Sequence, residues 1–187
     1  MGYEQLLCRL RPERYGSPDV EAFEVYRHRV NGLLPSWPDC PLRNWLYRHY
    51  AYAVSDYGWL RFDKMSFELV SWPGELIRRD VRTHKLDLVD RLGTRILSNS
   101  PSMRSWLQSF VLDHGTWPAP IIVLANTRAL RSPRGEVYGQ PYHLLEGHLR
   151  LGYLRTLLRA NSVALVNSHA VWIVTLMGPR LGALPHP

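Results

Sequence analysis

Residues 142–154, YHLLEGHLRLGYL, decide the fold of the region around them. Tyr142–Leu145 has the length and apolar content of a short strand. Gly147 permits a tight turn, and from there leucines recur at helical spacing to about Ala160. The stretch therefore predicts a strand that turns sharply into a helix.

The turn at Glu146 and Gly147 has the features of an anion site. The first turn of a helix has unpaired N–H groups and a partial positive charge, and both favour an anion. Arg150 is predicted to point toward the sheet or the cleft beside the turn, where it would add a forked donor. The alternative is an internal ion pair of Arg150 with Glu146, Asp113 or Glu136, since charges are seldom buried without a partner.

The rest of this helix is predicted to be amphipathic. Leu151, Leu154, Leu157 and Leu158 share one face of a helical wheel. On the opposite side lie His148, Arg155 and Arg159. The last two are four residues apart and are predicted to form a solvated surface pair.

Further strands are predicted on both sides of this stretch. Residues 121–125 and 170–176 are compact apolar runs typical of buried strands. A short extended segment is expected at 163–166, and the proline-rich tail from residue 178 is expected to be loose. Residues 126–140 are predicted to be a polar loop, and its arginines can either be solvated or bind a phosphate backbone. These arginines are Arg128, Arg131 and Arg134.

The first 114 residues are predicted to be mainly helical. Helical patterns occur at 20–31, 41–55, 86–97 and 101–113, and a short strand or extended arm at 59–72. Trp106 is expected in the core and Trp37, between prolines, is expected to contact a partner. The prediction is an α+β protein divided into residues 1–114 and 115–187, with the helical N-terminal portion packed on a small mixed sheet.

The run at 145–151, Leu-Glu-Gly-His-Leu-Arg-Leu, resembles the signature of the ParB/sulfiredoxin-like superfamily. The resemblance covers about residues 117–176 and includes the flanking strands. It implies a ParB-like type of sheet and a turn that binds nucleotide phosphates, those of CTP in partition proteins and ATP in sulfiredoxins. The cofactor implied is a nucleoside triphosphate with Mg²⁺.

The resemblance also assigns roles to single residues. It places Gly147 and Arg150 in ligand binding, assisted by the three loop arginines, and Glu146 and His148 in catalysis. Glu146 would position a metal, a ribose or a water. Leu149 stands where the family has His or Arg, and this departure disfavours hydrolysis.

Three classes of function follow from these residues. The first is a domain that binds a nucleotide or another phosphate ligand at the 146–150 turn, with regulatory or hydrolytic use. The second is a non-catalytic interaction module for protein or nucleic acid that has lost the superfamily chemistry. The third is a toxin or effector enzyme of the same fold.

Composition narrows the partners. The 187 residues have a formal net charge of +7, and of the 23 basic residues only Lys64 and Lys85 are lysine. A basic chain favours an anionic partner. Cys8 and Cys40 have neither disulfide nor zinc spacing, which predicts reduced thiols and a cytoplasmic location.

Two kinds of site are not predicted. No stretch approaches the roughly 20 apolar residues of a membrane span, so no membrane partner is expected. His143, His148 and His169 lack the spacing of a metal site. We therefore expect no metal, and His143 is predicted to be a hydrogen-bonded strand residue.

Overall fold

The computed structural model describes residues 2–98, 100–161 and 165–177. Residues 163 and 164 of the predicted extended segment, and the whole tail from residue 178, lie outside this part of the chain. The described residues have a mixed α+β architecture, which confirms the predicted fold class.

The helices and strands alternate irregularly along the chain. The helices are α1 (Tyr3–Arg9), α2 (Phe23–Asn31), α3 (Asp39–Pro41), α4 (Tyr50–Tyr57), α5 (Gly74–Asp80), α6 (Leu86–Ser98), α7 (Trp106–His114) and α8 (His148–Arg159). The strands are β1 (Met65–Trp72), β2 (Val81–Arg82), β3 (Ile121–Ala125), β4 (Tyr142–Glu146) and β5 (His169–Leu176). A π-helical stretch, Leu42–Tyr47, continues α3, and 3₁₀ turns lie at Gly58–Leu60, Phe62–Lys64 and Pro101–Met103.

The five strands form one mixed sheet in the order β1-β5-β3-β4-β2. Strand β4 is antiparallel to β3, with Leu144 opposite Val123, and parallel to β2, with Tyr142 opposite Val81. The two-residue strand β2 ends the sheet on this side. The predicted strand, turn and helix at 142–160 are therefore confirmed as β4 and α8.

The chain forms two compact units. The first runs to Phe67 and includes the end of β5 from Val174 onward, and the second is Glu68–Ile173. The predicted division after residue 114 falls inside the second unit, because α6 and α8 pack closely on each other. The turn and the loop arginines all belong to this second unit.

Helices α6 and α8 cross at two glycines. A Cβ atom added at Gly93 would lie 2.5 Å from the backbone oxygen of Gly152, and one added at Gly152 would lie 2.5 Å from the oxygen of Val89. Only glycine permits backbones to approach this closely. The crossing therefore fixes the position of α8.

Helix α8 is buried on two sides. Leu151 and Leu154 join the main core of the unit, while Tyr153 and Leu157 pack in a second cluster with side chains of α6 and α7. The main core consists of Ile77, Val81, Val89, Trp117, Ile121, Val123, Leu144, Leu151, Leu154 and Val171. Helix α8 is thus buried on more than the single apolar face that was predicted.

The predictions for two tryptophans are wrong. Trp106 is 70% exposed. It is the first residue of α7, whose start is capped by a capping box between Ser105 and Gln108. Trp37 is buried and stacks on Trp45. Its indole N–H donates to the backbone oxygen of Phe62 at 2.9 Å, so it is a core residue of the first unit.

Candidate functional site

The β4–α8 turn has the backbone conformation expected of glycine. Gly147 precedes α8 with φ +105°, in the left-handed region. A Cβ atom there would lie 2.7 Å from Cγ2 of Ile121, so the inner side of the turn is filled by a core side chain. As the N-cap residue of α8, Gly147 makes no side-chain capping hydrogen bond.

Arg150 is held inside the protein by two acceptors. One terminal nitrogen donates to the backbone oxygen of Ala119 at 2.8 Å, and the other donates to Oε1 of Glu146 at 3.1 Å. The side chain of Arg150 is 10% exposed and that of Glu146 is 19% exposed. Of the alternatives predicted for Arg150, the structure shows the internal ion pair with Glu146.

The other residues of the motif lie on the outer side of the turn. Leu149 is partly exposed, at 38%, and His148 is half-buried. The charge of His148 is among the influences that lower the pKa of His143. The structure brings together Glu146, Gly147 and Arg150.

The predicted loop at 126–140 is a hydrogen-bonded hairpin. Tyr138 N–H donates to the oxygen of Leu130 at 2.8 Å, and Ser132 N–H donates to that of Glu136 at 2.9 Å. The Asn126 amide donates to two carbonyls at the base of the hairpin. The arginines are all exposed: Arg128, Arg131 and Arg134.

The base of the hairpin rests on a buried histidine. Tyr138 stacks on His143 with ring centroids 3.9 Å apart, and Gly139 N–H donates to Nδ1 of His143 at 2.9 Å. Nε2 of His143 lies 3.1 Å from Nδ1 of His84, and His84 Nε2 lies 3.8 Å from Glu136. His143 is thus the hydrogen-bonded strand residue that was predicted.

Burial keeps His143 neutral. Burial, the largest cause, and the nearby charges of His84, His148 and Lys85 together lower the pKa of His143 to about 3. The third histidine of the sequence prediction, His169, lies elsewhere: its Nδ1 is 3.0 Å from Oγ1 of Thr116. Among the described residues no group of three or more His, Cys, Asp or Glu side chains could hold a metal ion.

Arg155 is buried, and the predicted solvated pair is wrong for this residue. It is 7% exposed, whereas Arg159 lies at the surface. One guanidinium nitrogen of Arg155 donates to the backbone oxygen of Val81, on β2, at 2.7 Å. The helical wheel fails here because α8 packs on two sides.

The surroundings of Arg155 are mostly basic. Burial lowers its pKa, Asp90 opposes this, and Arg82, Arg159 and Arg78 lower the pKa further. Asp90 itself is bound by Arg159 at 2.8 Å. This cluster was not predicted from the sequence; the signal for a second packed side of α8 is Gly152, a small residue that lets another helix approach closely.

No protein-family model, curated protein or solved structure matches this chain. The ParB-like resemblance of residues 117–176 therefore stays a prediction. Within the described ranges, no helix has the length and apolar character needed to cross a bilayer.

Proposed function

We propose that this chain is a phosphate-recognising module with a ParB-like type of sheet, which binds nucleic acid through its backbone phosphates. The observation that carries the proposal is the distribution of charge. Residues 68–173 contain thirteen Arg and Lys against eight Asp and Glu, a net charge of +5, whereas residues 1–67 contain nine against eight. A basic surface of this kind attracts polyanions whatever their sequence.

The exposed arginines support the same proposal. The hairpin presents three of them, and Arg82 lies against Gly139 at its base. Within the part of the chain that the structure describes, Arg82 and Arg128 have no carboxylate in ion-pair contact. Their guanidinium groups are therefore available to phosphate oxygens, which match the fork of Arg donors.

The motif itself supports binding without nucleotide chemistry. Glu146 and Arg150 neutralise each other, and Leu149 replaces the polar residue of the family pattern. A carboxylate committed to a neighbouring arginine is a poor ligand for magnesium or base for water. This favours the non-catalytic interaction module over a hydrolase or an effector enzyme.

The test is binding of a fluorescein-labelled DNA duplex and its single strand, followed by anisotropy over a salt series. We expect log K to fall linearly with log salt, by about 0.9 for each phosphate contact on duplex DNA. Replacing Arg128, Arg131 and Arg134 together with glutamine should make this slope shallower by up to about three.

The matched control changes the same charge elsewhere. Replacing Arg9, Arg11 and Arg48, which are exposed residues of the first unit, with glutamine should change the slope little. No binding at low salt would contradict the proposal. A complex whose affinity did not change with salt concentration would instead indicate that the partner is a protein.

Nucleotide binding at the turn is a second candidate, which one observation favours. The N-cap residue Gly147 makes no side-chain capping hydrogen bond, and N–H groups of a first helical turn can donate to an anion. A phosphate would then compete with Glu146 for Arg150. A rise of the thermal midpoint with CTP or ATP and Mg²⁺, absent with magnesium alone, would establish it; we expect no such rise.

A further inference from the structure

The strongest unexplained feature of the molecule is the buried charge of Arg155. Its guanidinium makes one hydrogen bond, to the backbone oxygen of Val81. Among the described residues no carboxylate lies in ion-pair contact with it. A buried guanidinium normally has a counter-charge, because removing it from water is costly.

The neighbouring side chains add positive charge instead of cancelling it. Arg78 on α5, Arg82 on β2 and Arg159 on α8 all lie close enough to disfavour the charge of Arg155. Asp90 is the acidic residue nearby, and it is engaged by Arg159. Arg78 pairs with Glu75 at the surface. The cluster therefore has more positive than negative groups around one buried guanidinium.

We propose that Arg155, with Arg78, Arg82 and Arg159, forms a phosphate-binding site at the β2 edge of the sheet. In its nucleic-acid form the site rests on the proposed function. The phosphate would be either a backbone phosphodiester or a free phosphate, since both have anionic oxygens that accept from guanidinium groups. It would add a counter-charge to that of Asp90, which lies near Arg155 but is bound by Arg159.

The hydrogen bond to Val81 gives Arg155 a defined orientation before any ligand arrives. Arg82, in contrast, is an exposed side chain on the edge strand β2 and can move toward an anion. The pre-oriented Arg155 loses little conformational entropy on binding, whereas an exposed arginine that becomes ordered around the anion does. Arg155 thus lies at the centre of the proposed site, and Arg82 lies at its solvent-exposed side.

The test uses the full chain and an Arg155→Met variant, which keeps much of the side-chain volume. We expect Arg155→Met to weaken binding of the labelled DNA by about tenfold or more and to reduce the salt slope by about one. Sodium phosphate should raise the thermal midpoint of the wild type above that in sodium chloride at equal ionic strength. It should not do so for the variant.

A structural role predicts different results. If Arg155 only supports β2, Arg155→Met binds DNA and responds to phosphate as the wild type does, and the inference is overturned. If the variant does not fold, the exposed pair Arg78→Met/Arg82→Met decides the question. Wild-type phosphate response and DNA affinity in that pair would overturn the site.

A control variant, and sodium phosphate as a second ligand, distinguish this test from the test of the proposed function. The double variant Arg91→Met/Arg95→Met removes two exposed charges from α6 and should leave the phosphate response intact. Should the wild type respond to sodium phosphate but not bind DNA, the nucleic-acid function fails while the site stands, as one for free phosphate.

Discussion

Arg150 and Arg155 lie five residues apart on the same helix and are almost equally buried, at 9% and 7% exposed. Arg150 has Glu146 in contact and a carbonyl besides. Arg155 has a carbonyl in contact and, among the described residues, no carboxylate; Asp90 nearby favours its charge, while Arg82, Arg159 and Arg78 disfavour it. The ParB-like resemblance predicts Arg150 as the ligand residue, whereas the basic surroundings favour Arg155.

The difference shows how a buried charge can be interpreted. A guanidinium with its counter-charge in the same chain stabilises the fold, and a ligand would have to displace that partner. One without a counter-charge is destabilising until something negative binds. The following changes are ways to test this comparison, in order of decreasing effect.

The largest effect is expected where α8 meets α6. Gly152→Ala places a methyl group 2.5 Å from the oxygen of Val89, and backbone cannot yield as a side chain does. We expect a loss of about 3 kcal/mol in the free energy of unfolding, measured by denaturant titration. Gly32→Ala, with open space around it, is the control and should cost less than about 0.5 kcal/mol.

Removing the counter-charge of Arg150 should make it resemble Arg155. Glu146→Ala removes the carboxylate in contact with the buried guanidinium while the bond to the Ala119 carbonyl stays, and we expect a loss of about 2 kcal/mol. The double variant Glu146→Gln/Arg150→Met removes both charges and should recover most of this loss. Equal stability of Glu146→Ala and wild type would show that the pair contributes nothing.

His143 is a third buried titratable group, and it avoids the cost of a buried charge because it stays neutral in the folded protein. The unfolded chain gains a proton near its ordinary pKa of 6.5, while the folded protein gains one only near its lowered pKa of about 3. Stability from this group is complete above pH 6.5 and falls by about 1.4 kcal/mol per pH unit below it.

The pH series has its own matched variant. His143→Asn should lower stability at pH 7 but flatten the dependence between pH 6 and 4, as seen in urea titrations at each pH. Part of the slope should remain, because burial also lowers the pKa of His169. An unchanged slope in the variant would show that His143 is not its source.

The smallest effect is expected at Arg155 and has the opposite sign. In the absence of phosphate, Arg155→Met should stabilise the protein by about 1 kcal/mol, because an uncompensated buried charge is replaced by an apolar side chain. Thermal and urea denaturation in chloride buffer measure it. A destabilised variant would show that the hydrogen bond to Val81 outweighs the charge.

The sequence predicts the local features of this fold well. The positions of β3, β4, α8 and β5 follow from apolar periodicity, and the turn follows from Gly147. The pair of Glu146 with Arg150 was among the predicted alternatives, because a charge is seldom buried without a partner.

What the sequence does not predict depends on packing between distant elements. A helical wheel gives α8 one apolar face, whereas side chains of α6 and α7 cover a second face, and Arg155 is buried beside β2. Trp106 was expected in the core but is exposed, and Trp37 was expected to contact a partner at the surface but is buried against Trp45 and Phe62. The hairpin at 126–140 was missed because a histidine of β4 and backbone bonds stabilise it.

The ring contacts beneath the hairpin have a spectroscopic consequence. Because Gly139 N–H donates to Nδ1 of His143, the neutral imidazole has its hydrogen on Nε2, aimed at Nδ1 of His84. In this tautomer the Nε2 hydrogen is shielded from water. A slowly exchanging imidazole resonance in an NMR spectrum would therefore report whether the hairpin at 126–140 stays packed on His143 when a polyanion is added.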